Sequence, residues 1–140
     1  MPCRRSLLIA VILALTVLSA ATACARGSGQ LDGTRWRLIG WTISSLYPGD
    51  FTITAAFADG RISGRSGVNS YGGPCQVGPG DAFAVGQLES TLMAGPEPAM
   101  RAERAYLMLL AEARSYRVAD GTLTLYGAGG HEALIFEAAE

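Results

Sequence analysis

The stretch FTITAAFADGRISG, residues 51–64, decides the fold that the sequence predicts. From Phe51 to Phe57 large apolar residues alternate with threonine or alanine, which is the two-residue period of a strand with one buried face. Asp59-Gly60 follows, and this dipeptide favours the tight turn of a β-hairpin. The residues after the turn then pair back onto the first strand. Short connections of this kind predict an antiparallel sheet.

The flanking sequence extends this sheet and adds one helix. Further strands are predicted within residues 34–41 (TRWRLIGW), 81–88, 116–118, 122–126 and 133–136. A second Asp-Gly pair, Asp120-Gly121, is predicted to turn the chain between the strands at 116–118 and 122–126. The glycine-rich residues 67–80 (GVNSYGGPCQVGPG) predict a loop, or a distorted strand pair whose backbones run close together. Residues 98–114 combine high helix propensity with an apolar face near the 3.6-residue period, and Pro98 suits a helix start. The predicted fold class is α+β, with about seven strands and one amphipathic helix that covers a twisted sheet or plugs an open barrel.

The first residues have the order of an export signal. Arg4 and Arg5 precede an unbroken apolar run, and Ala21-Thr22-Ala23 supplies small residues directly before Cys24. A cysteine at this point resembles a bacterial lipobox, in which the thiol is acylated and becomes the first mature residue. We therefore divide the chain into a signal peptide (1–23), a lipid-attachment and tether segment (24–30) and one domain (31–140).

Two alternatives to lipid attachment stay open. The lipobox position three residues before the cysteine is usually leucine, whereas here it is Ala21. The same small residues could instead direct a cleavage that releases an unlipidated, secreted protein. Residues 6–25 also carry no charge and are roughly long enough to span a bilayer uncut. The favoured interpretation places an exported protein in the cell envelope, bound to a membrane through lipid at Cys24.

The charge balance argues against nucleic acid as a partner. All 11 basic residues are arginine, and there are 12 acidic residues. Loss of residues 1–23 removes two arginines, so nine basic and twelve acidic residues remain and the formal charge is about −3. A nucleic-acid-binding domain needs a net basic surface to displace counterions.

The sequence offers no catalytic constellation. His131 is the only histidine and falls at a predicted hairpin tip, and Cys75 is the only cysteine left once Cys24 carries lipid. No zinc-protease, nucleophile-elbow or phosphate-loop motif occurs. Glu103 and Glu112 on the predicted helix each have a nearby arginine, so we expect both on the solvated surface. We therefore expect no enzyme activity, no cofactor and no metal site.

Four segments together resemble a known family. They are Gly64, residues 67–73 (GVNSYGG), residues 91–96 (TLMAGP) and residues 100–106 (MRAERAY). Their order is similar to that of the META domain, or HslJ-like, family, over about residues 31–138. The resemblance implies a cracked antiparallel β-barrel interrupted by a helix, similar to secretion-system pilot proteins. It also implies a small bacterial envelope protein, often a lipoprotein and sometimes linked to heat or antibiotic stress, with no catalytic residues to carry over.

The chain departs from the family pattern at two positions. Val68 and Gly95 stand where the family has cysteine. If those two cysteines form a disulfide in the family, a chain that dispenses with the bond is expected to lose both of them together. Independent replacement of each cysteine is the alternative. Between them, Asn69 and Tyr71 form a candidate ligand or loop site. An asparagine in a glycine-rich loop can cap backbone groups or adopt a positive φ, so both a structural role and ligand contact stay open.

These observations favour a non-enzymatic, lipid-anchored envelope protein. We expect a binding or chaperone-like module that acts in stress or antibiotic tolerance and takes an envelope protein or an apolar ligand between helix and sheet. One alternative is a structural lipoprotein that supports envelope integrity without a discrete ligand. The other is a soluble, secreted interaction protein.

Overall fold

A computed structural model describes residues 30–42 and 46–140, which form nine strands and one α-helix. The strands are β1 (Thr34–Trp41), β2 (Thr54–Ala58), β3 (Arg61–Arg65), β4 (Ser70–Gly78), β5 (Ala82–Val85), β6 (Glu89–Ser90), β7 (Ser115–Ala119), β8 (Thr122–Tyr126) and β9 (Glu132–Ala138). Helix α1 (Glu97–Glu112) lies between β6 and β7 in the chain. The predicted α+β class is confirmed.

Eight of the strands close an antiparallel barrel. Their order is β3-β2-β1-β9-β8-β7-β5-β4, and β4 pairs back onto β3. The two residues of β6 pair with β4 beyond the end of β5, on the same edge. The narrowest seam is between β5 and β7, where Ala82 pairs with Ser115 and the Phe83 amide donates to the Arg114 carbonyl at 2.9 Å. The predicted barrel is therefore present, with one short seam.

The strand count differs from the prediction because the glycine-rich stretch is mostly strand. Residues 70–78 form β4, and a two-residue β6 adds the other extra strand. A Cβ on Gly73 would lie 2.7 Å from the Gln87 carbonyl oxygen, so glycine permits a close approach of two backbones. The alternative of a distorted strand pair thus describes this region better than a loop.

Two Asp-Gly turns close hairpins as predicted. Asp59 and Gly60 have φ values of 54° and 73°, and Asp120 and Gly121 have values of 51° and 72°. Positive φ at both central residues is what a type I′ turn requires. Because the strands are antiparallel, both turns lie at the barrel end where β1 begins and β9 ends. We call this the proximal end, and the opposite end, with the β3–β4 loop and the start of α1, the distal end.

The helix covers the barrel with an aromatic side chain. Tyr106 is fully buried, and its ring centroid lies 5.5 Å from that of Tyr71 and 6.3 Å from that of Phe136. The helix spans Glu97–Glu112 instead of residues 98–114, because Ala113 is already extended. Its buried face also includes Glu103, so the prediction that Glu103 lies on the solvated surface is wrong.

Candidate functional site

The candidate residues Asn69 and Tyr71 both lie at the distal end, next to α1. Asn69 precedes β4 and Tyr71 is its second residue. Both side chains are buried, with exposed fractions of 2% and 4%. The structure therefore brings the two predicted residues together, but inside the domain.

Asn69 ties three segments of the chain together. Its Oδ1 accepts hydrogen bonds from the Thr91 hydroxyl at 2.9 Å and from the Met93 amide at 2.7 Å. Its Nδ2 donates to the Met93 carbonyl at 3.1 Å and to Glu103 Oε1 at 2.8 Å. An amide side chain can accept two hydrogen bonds and donate two, so its capacity is fully used. This arrangement caps backbone groups, which is the structural role considered for Asn69.

Glu103 is the unexpected member of this network. Its Oε2 accepts from the Ser66 hydroxyl at 2.8 Å, the Val68 amide at 3.2 Å and the Asn69 amide at 2.7 Å. Gly67 allows this wrapping, because its φ of 123° and the Ala99 carbonyl oxygen, 3.2 Å from where a Cβ would stand, both disfavour a side chain. We call residues 66–69 the Glu103 cradle.

The cradle sets the ionisation of Glu103. Burial of the carboxyl group favours its neutral form and raises its pKa. The hydrogen bonds donated by Asn69, Ser66 and Val68 act in the opposite direction and outweigh burial, so the pKa of Glu103 lies below its ordinary value. The carboxylate is therefore ionised at neutral pH, and it holds the β3–β4 loop on α1 through charge-assisted hydrogen bonds.

Tyr71 and Tyr106 form a second buried polar contact. The Tyr71 hydroxyl donates to the Thr54 carbonyl at 2.9 Å, and its oxygen lies 2.6 Å from the Tyr106 hydroxyl oxygen. Because the single Tyr71 proton goes to Thr54, Tyr106 donates to Tyr71. Burial raises the pKa of both hydroxyls, so both stay protonated. This pair joins α1 to the barrel and fills the space between them.

The other predicted residues lie apart from this network. Cys24 falls outside the described residues. Cys75 is a buried free thiol on β4, and burial raises its pKa to about 11. His131 is exposed where β9 begins. Among residues 30–42 and 46–140, no group of three or more His, Cys, Asp or Glu could hold a metal ion. No helix within the same ranges is long and apolar enough to cross a membrane.

The two positions that lack the family's cysteines are neighbours. A Cβ built on Gly95 would lie 3.4 Å from Val68 Cβ and 2.6 Å from Val68 Cγ2. Disulfide-bonded residues have Cβ atoms about 3.5–4.5 Å apart. The valine methyl groups thus occupy the space that the second sulfur would need.

A groove of about 730 Å³ opens at the proximal end of the barrel, away from the buried network. It runs beside the β4–β5 hairpin, and the Asp59-Gly60 turn and Asp32 border it. The apolar residues of the lining are Cys75, Val77, Ala82, Phe83 and Ala84. A cavity of about 30 Å³ shares Asp32, Gly60, Cys75 and Val77 with the groove, and Leu31 and Arg61 also line it. The groove volume of about 730 Å³ is within the range of ligand-binding sites, roughly 300–1,000 Å³.

Carboxylates border this groove, which we call the proximal groove. Asp32 and Asp59 are both exposed, and Asp32 Oδ1 accepts a hydrogen bond from the Asp59 amide at 2.9 Å. Asp81, also exposed, immediately precedes the lining residue Ala82. Arg61 is the basic residue in the lining of the adjoining cavity. The groove therefore combines apolar lining with an acidic rim.

Local sequence patterns do not reveal the proximal groove. Its lining comes from three separated segments that only barrel closure brings together. The repeated Asp-Gly turns were recognised as turns, but their shared position at one end depends on strand order. Glu103 had a detectable signal, because it lies three residues before Tyr106 and seven before Leu110, on the apolar face of the helix.

The comparisons with known proteins agree with this architecture. The family model of the META domain matches residues 29–140. A protein from Burkholderia xenovorans, solved by NMR, is 27% identical with a TM-score of 0.65, over 78% of this chain and 83% of that chain. A DUF4847 family protein from Bacteroides vulgatus ATCC 8482 shares the fold at 13% identity, with a TM-score of 0.57 over 79% and 95% of the two chains. The comparison with curated proteins gave no match.

Proposed function

The chain belongs to the META domain family, and we propose that it is a non-enzymatic binding module of the cell envelope, anchored through lipid at Cys24, that takes its partner in the proximal groove. The observation that carries the proposal is the groove of about 730 Å³ with apolar lining. Asp32 lies at the start of the domain, and Asp59 contacts it through the hydrogen bond from the Asp59 amide to Asp32 Oδ1.

The distal network supports a scaffold role for the rest of the domain. Glu103 and Asn69 bond to each other and to neighbouring segments, and the Tyr106 hydroxyl bonds within the core. Among the described residues, every buried side-chain nitrogen or oxygen has a hydrogen-bond partner. Groups that are fully engaged in holding the fold are poor candidates for proton transfer to a substrate. This favours binding over catalysis.

The proposed anchor fits the position of the groove. Gln30 lies six residues after Cys24, and an extended chain spans at most about 3.5 Å per residue. Acylation of Cys24 would therefore hold the proximal end within about 21 Å of the bilayer. A partner bound in the groove would be kept near the membrane surface.

Lipid anchoring is tested by the intact mass of the mature protein and of Cys24→Ala. We expect the native protein to begin at Cys24, to carry the added mass of acyl chains and to sediment with membranes. The alanine variant should lose the acyl mass and should no longer sediment with membranes. A native protein that begins at another residue, or that lacks the acyl mass, would disprove the anchor while leaving the groove unaffected.

Binding is tested by photo-crosslinking in cells. A photoreactive residue replaces Gln76, an exposed residue of the groove, and in a matched control it replaces Ala128, an exposed residue of the β8–β9 turn. We expect a discrete crosslinked species from position 76 and none from position 128. Equal crosslinking at both positions, or none at either, would contradict the proposed binding site.

The proposed role in stress or antibiotic tolerance is tested by complementation of a deletion strain. Native protein should restore detergent and antibiotic resistance. A groove variant, Ala84→Arg, whose exposed side chain would occupy the groove, should not restore it if the variant is present at native abundance. Restoration by a folded groove variant would instead support the structural alternative, a lipoprotein that maintains envelope integrity without a discrete ligand.

A further inference from the structure

Resting on the proposed function, we propose that the partner of the proximal groove is a cationic polypeptide segment, with arginine or lysine at the acidic rim and an apolar side chain against the lining. Three features of the groove support this assignment: its shape, its lining and the charge around it.

The shape favours a segment of a larger partner. Sites for small molecules enclose most of the ligand surface. The proximal groove instead is open along the β4–β5 hairpin, and its lining residues Gln76 and Ala84 are exposed. A segment that belongs to a larger protein does not need enclosure, because the rest of the partner can contact the surrounding surface.

The lining requires an apolar side chain from that segment. Half-buried Val77 and exposed Ala82 and Ala84 offer apolar surface to the groove. Phe83, which pairs with Val77 across the hairpin, and Cys75 are 2% and 8% exposed and are already covered by the domain. Water in contact with Val77, Ala82 and Ala84 is released when an apolar side chain covers them, and that release favours binding. A fully charged and hydrophilic segment would leave the lining uncovered.

The rim requires positive charge. Asp32 and Asp59 border the groove, Asp81 adjoins it, and Arg61 offsets part of their charge from the neighbouring cavity. The second Asp-Gly turn, at Asp120, adds to the acidity of the same barrel end. Such a field attracts cations and repels phosphate groups, so it disfavours nucleic acid and anionic lipid as occupants.

The chain contains a matched pair of turns for the test. Asp59-Gly60 and Asp120-Gly121 have nearly identical positive φ values, and only Asp59 lines the groove. Asparagine adopts this conformation as readily as aspartate, so Asp59→Asn and Asp120→Asn each remove one charge with little effect on the fold. In Asp32→Asn the Oδ1 acceptor of the Asp59 amide is retained.

The experiment measures binding of defined peptides to the full mature protein in non-ionic detergent. The probe is a fluorescein-labelled twelve-residue peptide that alternates arginine and valine, and its twin replaces arginine with glutamate. Fluorescence anisotropy at low salt should show binding of the arginine peptide and at least tenfold weaker binding of the twin. The double variant Asp32→Asn/Asp59→Asn should bind the arginine peptide roughly three- to tenfold more weakly than the native protein. The control variant Asp120→Asn should have less than half that effect on binding. Added salt should reduce the difference between the variants.

Several outcomes would overturn the inference. These are equal binding of the two peptides, equal effects of the groove and control variants, or salt-independent differences. If Arg26→Ser in the tether strengthens peptide binding, the chain's own tether is the occupant. If sedimentation shows self-association that Asp59→Asn abolishes, the occupant is a second copy. When crosslinking at position 76 persists despite such results, the binding module stands and only the partner's chemistry is wrong; when crosslinking also fails, the proposed function fails with it.

Discussion

Replacement of Val68 and Gly95 by cysteine should create a disulfide across the distal end. The two positions belong to the β3–β4 loop and to the segment that precedes α1. A Cβ on Gly95 would stand 3.4 Å from Val68 Cβ, at the short limit of disulfide geometry. Valine itself blocks this space, because its Cγ2 would lie 2.6 Å from the added Cβ. Cysteine at position 68 removes both methyl groups and supplies one sulfur in their place.

The expected stabilisation follows from the loop that the bond closes. A crosslink over about 27 residues removes chain entropy from the unfolded state worth about 3.5 kcal/mol at 25 °C. For a domain of this size, that free energy raises the midpoint of thermal unfolding by roughly 10–15 °C. These are upper values, because strain from the short Cβ separation reduces the gain.

The assay compares oxidised and reduced Val68→Cys/Gly95→Cys by thermal unfolding followed with circular dichroism. Alkylation under denaturing conditions, read by mass, should show both new thiols protected in the oxidised protein, while Cys75 is alkylated and serves as the internal reference. Gly95→Ala alone should be destabilised by about 1–3 kcal/mol through overpacking against Val68, and Val68→Ala/Gly95→Ala should relieve that clash. If both new thiols stay alkylatable after oxidation, or if reduction leaves the midpoint unchanged, the two positions are not neighbours.

Three further predictions concern the buried contacts, each measured by urea unfolding. Glu103→Gln should lower the free energy of unfolding at pH 7 by about 2–3 kcal/mol. Because the pKa of Glu103 is lowered in the folded state, its stabilisation is complete above the unfolded-state pKa of about 4.3 and is lost as pH falls through the folded-state pKa. The variant should therefore lose less stability in acid than the native protein, and an equal decrease of the unfolding free energy with falling pH in both proteins would refute this. Tyr106→Phe should lower the free energy of unfolding by about 1 kcal/mol. Tyr71→Phe should lower it by about 1–3 kcal/mol, because the Thr54 carbonyl loses its hydrogen-bond donor. A larger loss of stability in Tyr106→Phe than in Tyr71→Phe would contradict the assigned donor direction. Gly64→Ala should cost about 3 kcal/mol or more, because a methyl group would overlap the Thr54 carbonyl, and a variant of native stability would exclude this backbone contact.

Local sequence signals predicted the hairpins because each needs only neighbouring residues. Asp59-Gly60 and Asp120-Gly121 specify positive φ at adjacent positions, and that conformation closes a two-residue turn wherever it occurs. The alternation before the first turn likewise places Ile53, Ala55 and Phe57 in the core, with exposed fractions of 0–4%. These features are independent of how the sheet closes.

Glu103 shows what helical periodicity leaves out. A charged residue near arginines is usually solvated, and that expectation placed Glu103 on the surface. Its partners in the structure are backbone amides of the β3–β4 loop, more than 30 residues away in the chain. No local pattern contains this contact, although the position of Glu103 on the apolar face was a reason to expect a buried partner.

The proximal groove was beyond prediction for a different reason. Its sides come from the start of β1, the β2–β3 turn and the β4–β5 hairpin, and their relative positions depend on how far each strand is shifted along its neighbour. A slip of one residue would reverse which side chains face the interior. The sequence specifies the alternation of each strand, whereas the shape of the groove depends on the register of all of them together.

The two ends of the barrel differ in a way that bears on the proposed anchor. At the distal end the acidic residue Glu103 is enclosed by donors, so its charge is directed inward. At the proximal end the turn aspartates are exposed, and their charge faces the surroundings. An anchor at Cys24 would hold this acidic end within about 21 Å of the bilayer, a distance of two to three Debye lengths at physiological salt. Anionic headgroups would repel it only at close range, so the domain should stand away from the bilayer and leave the groove open to a cationic partner.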